Sequence, residues 1–189
     1  MIAIRMRDAR FIEGTKTVAG PLSLDVPFGA LVAYRCASAR EAAIAARLAA
    51  GIVKASHGSV TICDYDPTIQ PVQCKRLAGF VAHDPGHLEQ RDFIRYIKYR
   101  AALWNVDPAS AVMRAQGLLE RLDGLHAAFA IPIVGALIGS PTVLVMDRPA
   151  AAYAAQIVTV AAECALFTTH VDHVSAAAFS DHARALHSA

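Results

Sequence analysis

The sequence predicts an α/β fold: a parallel core sheet flanked by helices, preceded by an antiparallel β region. Three observations carry this. Short apolar runs at residues 31–34, 143–146 and 164–168 have the length and composition of strands buried on both faces. Helical stretches lie between such runs, as parallel strands need for their crossovers. Ahead of them, Leu22-Ser23-Leu24-Asp25-Val26 alternates apolar and polar residues, the mark of a strand with one wet face.

Residues 2–6 read as a first strand and 22–26 as a second, with a turn at Phe28-Gly29. Residues 37–50 read as a helix that Gly51 stops. Strands follow at 58–62 and 77–82. Residues 91–104 form an amphipathic helix, with Phe93, Ile94, Ile97, Ala101 and Trp104 on one face and Arg91, Arg95 and Lys98 on another. Pro108-Ala109-Ser110 opens the next helix, which runs to about Leu122, and a last helix at 150–162 joins the strands at 143–146 and 164–168.

The 189 residues fit one domain, taken as residues 1–189. Hydrophobic residues make up 55% and mean hydropathy is +0.37, yet no run of eighteen apolar residues occurs. The richest stretch, residues 150–166, contains Gln156 and Glu163, which a spanning helix would have to bury. Residues 1–10 lack a signal-peptide core. The expectation is a cytoplasmic chain without direct membrane insertion. A net charge of +2 is too small to drive nucleic-acid binding. The four cysteines form no C-x-x-C pair, which argues against zinc and for a reducing compartment.

Six stretches, in shared order, resemble ABC transporter ATP-binding domains. GPLSLDVPFG at 20–29 is similar to the opening hairpin. LAAG at 48–51 followed by HGSVTI at 57–62 is similar to the end of the P-loop helix and the next strand. LAGFVAHD at 77–84 is similar to the strand into the Q-loop, and ALIGSP at 136–141 to the helix end before Walker B. VLVMDRP at 143–149 is similar to Walker B, and FTTH at 167–170 to the switch-histidine strand. The resemblance implies a P-loop NTPase-like fold with a reduced helical lobe at roughly 85–130.

The same alignment implies losses. A P-loop reads G-x-x-x-x-G-K-[ST], its glycines letting backbone N–H groups wrap phosphates that the lysine neutralises. Counting back from Gly51, the glycine positions hold Cys36 and Glu41, the lysine position Ala42 and the magnesium-binding hydroxyl position Ala43. In their place Ser38-Ala39-Arg40-Glu41 is a capping box, with Ser38 accepting from first-turn N–H groups and Glu41 reaching back to the Ser38 N–H. The catalytic glutamate position holds Arg148, which cannot accept a proton. Asp123-Gly124-Leu125-His126-Ala127 stands where the signature motif belongs and matches it poorly, and Pro132 is expected to break the helix that follows. Four remnants of a nucleotide site are implied: Phe11 near the adenine-stacking position, His83 at the Q-loop glutamine, Asp147 of Walker B and His170 as switch histidine. Read as residues alone, Asp147 is a strand-end carboxylate pairing with Arg148 or capping the next helix, His170 a strand-end histidine satisfied locally, and Phe11 a core aromatic.

His170-Val171-Asp172-His173, taken as helical, offers two histidines on one face but no further ligand, so no metal site is expected. No G-x-S-x-G elbow is present. Arg91, Arg95, Tyr96, Lys98 and Tyr99 interleave basic and aromatic residues; read alone they are a solvated basic face over an apolar stripe, and the resemblance, which places them after the Q-loop, implies a contact with a protein partner. The leading expectation is a non-hydrolysing structural or regulatory subunit of a membrane transport or export complex. It would use no cofactor and would contact an active ABC ATPase subunit, a permease or a second copy of itself. It would lie at the inner face of the cell membrane only through that partner. One alternative is an ATP-using subunit, with magnesium, whose composite site a partner chain completes. Another is a nucleic-acid module using residues 91–100.

Overall fold

The computed structural model describes residues 1–84 and 92–187, with side chains through Arg184. Two long strands, β1 (Ile2–Glu13) and β2 (Lys16–Pro27), form an antiparallel hairpin, and β4 (His57–Ile62) pairs with the other edge of β1. Glu13 faces Lys16 across a two-residue turn in which Gly14 takes φ +60°, a value that costs an L side chain. Both hairpin strands run well past the short stretches that the sequence marks. The extension of β1 is charged and irregular, with register shifts between Met6 and Phe11, so its alternation is hidden.

The second sheet has the order β3-β7-β6-β5 and is parallel throughout: β3 (Leu31–Arg35), β5 (Ala78–Val81), β6 (Val143–Asp147) and β7 (Ala165–His170). β6 and β7 are buried over their whole length, which is why they read as unbroken apolar runs. α1 (Ala39–Ala49) packs between the two sheets on Ala42, Ala45, Ala46, Leu48 and Ala49, small side chains that let both sheets come close. It ends at Gly51, whose φ of +67° reverses the chain.

The other face of the parallel sheet carries a larger core. α3 (Phe93–Trp104), α4 (Pro108–Arg121), α5 (Ala127–Leu137), α6 (Ala154–Val160) and α7 (His173–His187) contribute to it. α2 (Pro71–Leu77), opened by Pro71, precedes β5 and takes Leu77 out of the expected strand. The helix expected at 91–104 is described from Phe93. Phe93, Ile97 and Ala101 form its buried face, while Ile94 is exposed. The helix expected at 150–162 divides into a 3-10 turn, Ala151–Tyr153, and α6.

Pro132 does not break its helix. It lies inside α5, every residue of which from Ala130 to Leu137 is buried. A proline in a helix interior costs about 3 kcal/mol. Burying Ile131, Ile133, Val134 and Leu137 returns about 1.5–3 kcal/mol each, so packing overrides the backbone. α3 reaches α5 closely because α5 and its end present glycines. A Cβ on Gly135 would overlap the Tyr96 ring, and one on Gly139 the Trp104 ring.

Candidate functional site

Parallel strands bring their carboxyl ends to one side of a sheet, where α/β folds carry their sites. Here that side gathers Cys36 after β3, His83 after β5, Asp147 and Arg148 at the end of β6, and His170 at the end of β7. They form one hydrogen-bonded chain. Cys36 N donates to the His170 carbonyl at 2.7 Å, and Arg148 N to the Thr169 carbonyl at 3.0 Å. The Thr169 hydroxyl donates to Asp147 Oδ1 at 3.3 Å, and His83 Nδ1 lies 3.1 Å from the Arg148 carbonyl oxygen.

Asp147 is 5% exposed. Arg148 curls back on it, Nε donating to Oδ1 at 2.9 Å and Nη2 to Oδ2 at 3.2 Å. The turn needs Arg148 at φ +47°, an uncommon conformation for a side chain of this size. His170 is 1% exposed and hydrogen bonds through Nε2 to the Thr168 hydroxyl at 2.8 Å, its ring 5.1 Å from Phe179. Burial holds its pKa below the usual imidazole value, and Asp172 opposes that only in part. His170 ends a strand and His173 begins α7, so the two histidines are not on one helix. Among the described residues no three His, Cys, Asp or Glu side chains cluster as metal ligands.

The β3–α1 connection is only Cys36, Ala37 and Ser38. The helix begins at Ala39, so residues 39–41, which the resemblance assigns to a phosphate loop, are wound into its first turn. Ser38 caps it by accepting from Glu41 N at 3.1 Å. Glu41 reaches back as a capping box does, but to Ala37 N at 2.7 Å rather than to Ser38 N, one residue further out. Ala42 N donates to the Ser38 carbonyl at 2.9 Å; Ala42 is buried and Ala43 half-buried. Burial and the Glu41 carboxylate push the Cys36 thiol up to about 12.

Phe11 stands apart from this network. It lies in β1 opposite Ala19, half-buried against the core of the antiparallel sheet. The partner surface read at 91–99 divides. Arg91 lies outside the described residues. Arg95 pairs with Asp92 at 2.8 Å, Tyr96 packs on Gly135, and Lys98 and Tyr99 are exposed. A groove of about 560 Å³ lies beside them, lined by Ile52, Val72, Phe80, Leu103 and Trp104 with Lys75, Arg76 and Arg100. It joins three stretches of the sequence, residues 50–52, 72–80 and 100–104, so no local pattern marks it.

No family model matches the chain. In sequence it is similar to the sulfate/thiosulfate import ATP-binding protein CysA of Nephroselmis olivacea, 26% identical over 156 residues. That match covers 76% of this chain and 45% of the relative, so the chain spans less than half the relative's length. In structure it is similar to an ATP-binding subunit of an ABC transporter, with TM-score 0.73 and 15% identity over 89% of this chain and 79% of that one. It is also similar to cbiO1 from Clostridium perfringens, part of the ABC transporter complex cbiONQ, with TM-score 0.73 and 14% identity over 90% of this chain and 79% of that one.

Proposed function

We propose that this chain, which has the fold of an ABC nucleotide-binding domain, is a subunit that does not hydrolyse ATP and acts by protein contact within a membrane transport or export complex. The carboxylate at the start of α1, with no lysine beside it, carries this reading. Phosphate binding at a helix N-terminus needs free N–H groups and tolerates no competing anion. Here Ser38 and Glu41 satisfy the Glu41 and Ala37 amides, Cys36 N is bound to His170, and the Glu41 carboxylate already complements the helix dipole. No lysine stands at Ala42 and no hydroxyl at Ala43.

A magnesium–triphosphate does not fit these residues. Both carboxylate oxygens of Asp147 are engaged by Arg148, and a guanidinium stands where water would be polarised. Under the composite-site reading a partner would have to reach Asp147, which is paired, and His170, which is 1% exposed. The chain acts as one unit, residues 1–189, and α3 and α4 lie within the reduced helical lobe read at roughly 85–130.

The partner contact is the groove beside α3. Ile52, Val72 and Leu103 are each more than half exposed there, and Lys75 and Arg76 supply positive charge. That chemistry suits an apolar helix with acidic flanks, such as a cytoplasmic segment of a permease. No described helix is long and apolar enough to cross a membrane, so a membrane location comes through that contact.

The test is a turnover assay and a nucleotide titration of the purified chain, alone and with its co-purifying partner. We expect the chain alone neither to hydrolyse nor to bind nucleotide, and Asp147→Asn to leave any turnover of the complex unchanged. ATP hydrolysis that disappears on Asp147→Asn overturns the reading. A Leu103→Asp change is expected to release the chain from its membrane partner without unfolding it.

A further inference from the structure

We propose that the cavity between the parallel sheet and α5 binds a small uncharged ring compound, between benzene and indole in size. The cavity has a volume of about 150 Å³ and opens at the carboxyl ends of β5 and β6. Its walls are Val81, Ile133, Met146 and Ile157, closed on one side by Phe129 and Tyr153, whose ring centroids are 5.6 Å apart. A pocket of this size with mostly aliphatic and aromatic walls suits a benzene-sized molecule.

Electrostatics selects the ligand class. The charged groups lining the cavity, Asp147 and Arg148, are bonded to each other at 2.9 and 3.2 Å and present little net charge. An anion would have to compete with Asp147 for Arg148, and a cation with Arg148 for Asp147, both at a desolvation cost. His83 and Tyr153 add polar atoms at the lining, so one polar substituent on the ring is tolerated. Phe129 is 42% exposed, and a bound ring would cover it. The bound compound would bridge the sheet, through Val81 and Met146, to α5 and α6, through Ile133 and Ile157.

The inference stands independently of ATP binding, because the probes carry no phosphate. The full chain is titrated with benzene, toluene, phenol and indole, and with benzoate and methylammonium as charged controls. Melting temperature and the methyl NMR shifts of Ile133, Ile157 and Met146 are followed. A neutral probe at ten times its Kd should raise the melting temperature by roughly 3–5 °C and shift those methyls. Ala82→Phe, which fills the cavity from a half-buried position, should abolish both effects. If that variant does not fold, Ala150→Phe fills the cavity from an exposed position. The proposal is overturned if no neutral probe binds, if the charged controls bind as well, or if the folded filled variant responds like the parent.

Discussion

Changing Arg148 to methionine removes the cation beside Asp147 and keeps an apolar stem of similar reach. The carboxylate is 5% exposed and would be left with the Thr169 hydroxyl at 3.3 Å as its side-chain donor. Breaking a buried ion pair costs about 3–5 kcal/mol, and a hydrogen bond to a charged group contributes about 1.5–3 kcal/mol. The Arg148 side chain is 22% exposed, so water can re-solvate part of the site and the loss falls at the lower end, about 2–3 kcal/mol. In a chain of this length that lowers the melting temperature by roughly 4–10 °C. Adding Asp147→Asn removes the stranded charge and should recover most of the loss, giving a coupling of about 2 kcal/mol in a double-mutant cycle. Urea denaturation followed by circular dichroism measures all four proteins. An Arg148→Met protein within ~0.5 kcal/mol of the parent, or strictly additive changes, refutes the reasoning.

Three further outcomes follow from the same contacts. Ser38→Ala should lower stability by about 1 kcal/mol by uncapping α1, while Ser38→Asp, which keeps the acceptor, should not; denaturant midpoints distinguish them. Gly139→Ala places a methyl group into the Trp104 ring and should cost about 1–3 kcal/mol, with a change in indole fluorescence as the ring moves. His170 has a folded pKa below its unfolded value, so between the two the unfolded chain binds more protons. Its contribution to stability is therefore complete above about pH 6.5 and falls as the solution is acidified, by at most about 1.4 kcal/mol per pH unit. In His170→Gln the slope of stability against pH just below 6.5 should flatten.

The inner strands of the parallel sheet were legible because burial on both faces forces continuous apolar runs at 143–146 and 164–168, whereas β3, at the edge, is apolar over 31–34 but only half-buried. The start of α1 was legible because a capping box is a local signal, although the Glu41 acceptor is one residue off. What a linear reading misses depends on contacts between distant elements. α5 is apolar all round, so it has no amphipathic period to betray it, and its proline points the wrong way. Tyr96 of α3 packs on α5 because Gly135 makes room for it, which is invisible from residues 91–104 alone. α2 could have been found from Pro71 at its first position. Thr168 and Thr169 gave no signal, since their roles appear only when β6 and β7 lie side by side.

The persistence of this fold without a P-loop sequence has a physical basis. In such a sheet the nucleotide contacts sit at strand ends and in the first turn of α1, outside the two cores. On the proposed reading their absence removes no burial, but it leaves polar groups that a bound phosphate and metal would otherwise satisfy. Several such groups here have an internal replacement. The Glu41 amide has Ser38 and the Ala37 amide has Glu41, Asp147 has Arg148 and Thr169, and His170 has Thr168. The replacements are mutually consistent, because the Arg148 amide bonds the strand that carries Thr168, Thr169 and His170, and the His170 carbonyl bonds the amide of Cys36. A glycine and a lysine reintroduced at positions 41 and 42 alone would therefore not restore a phosphate site. α1 would also have to unwind its first turn, and Arg148 would have to leave Asp147.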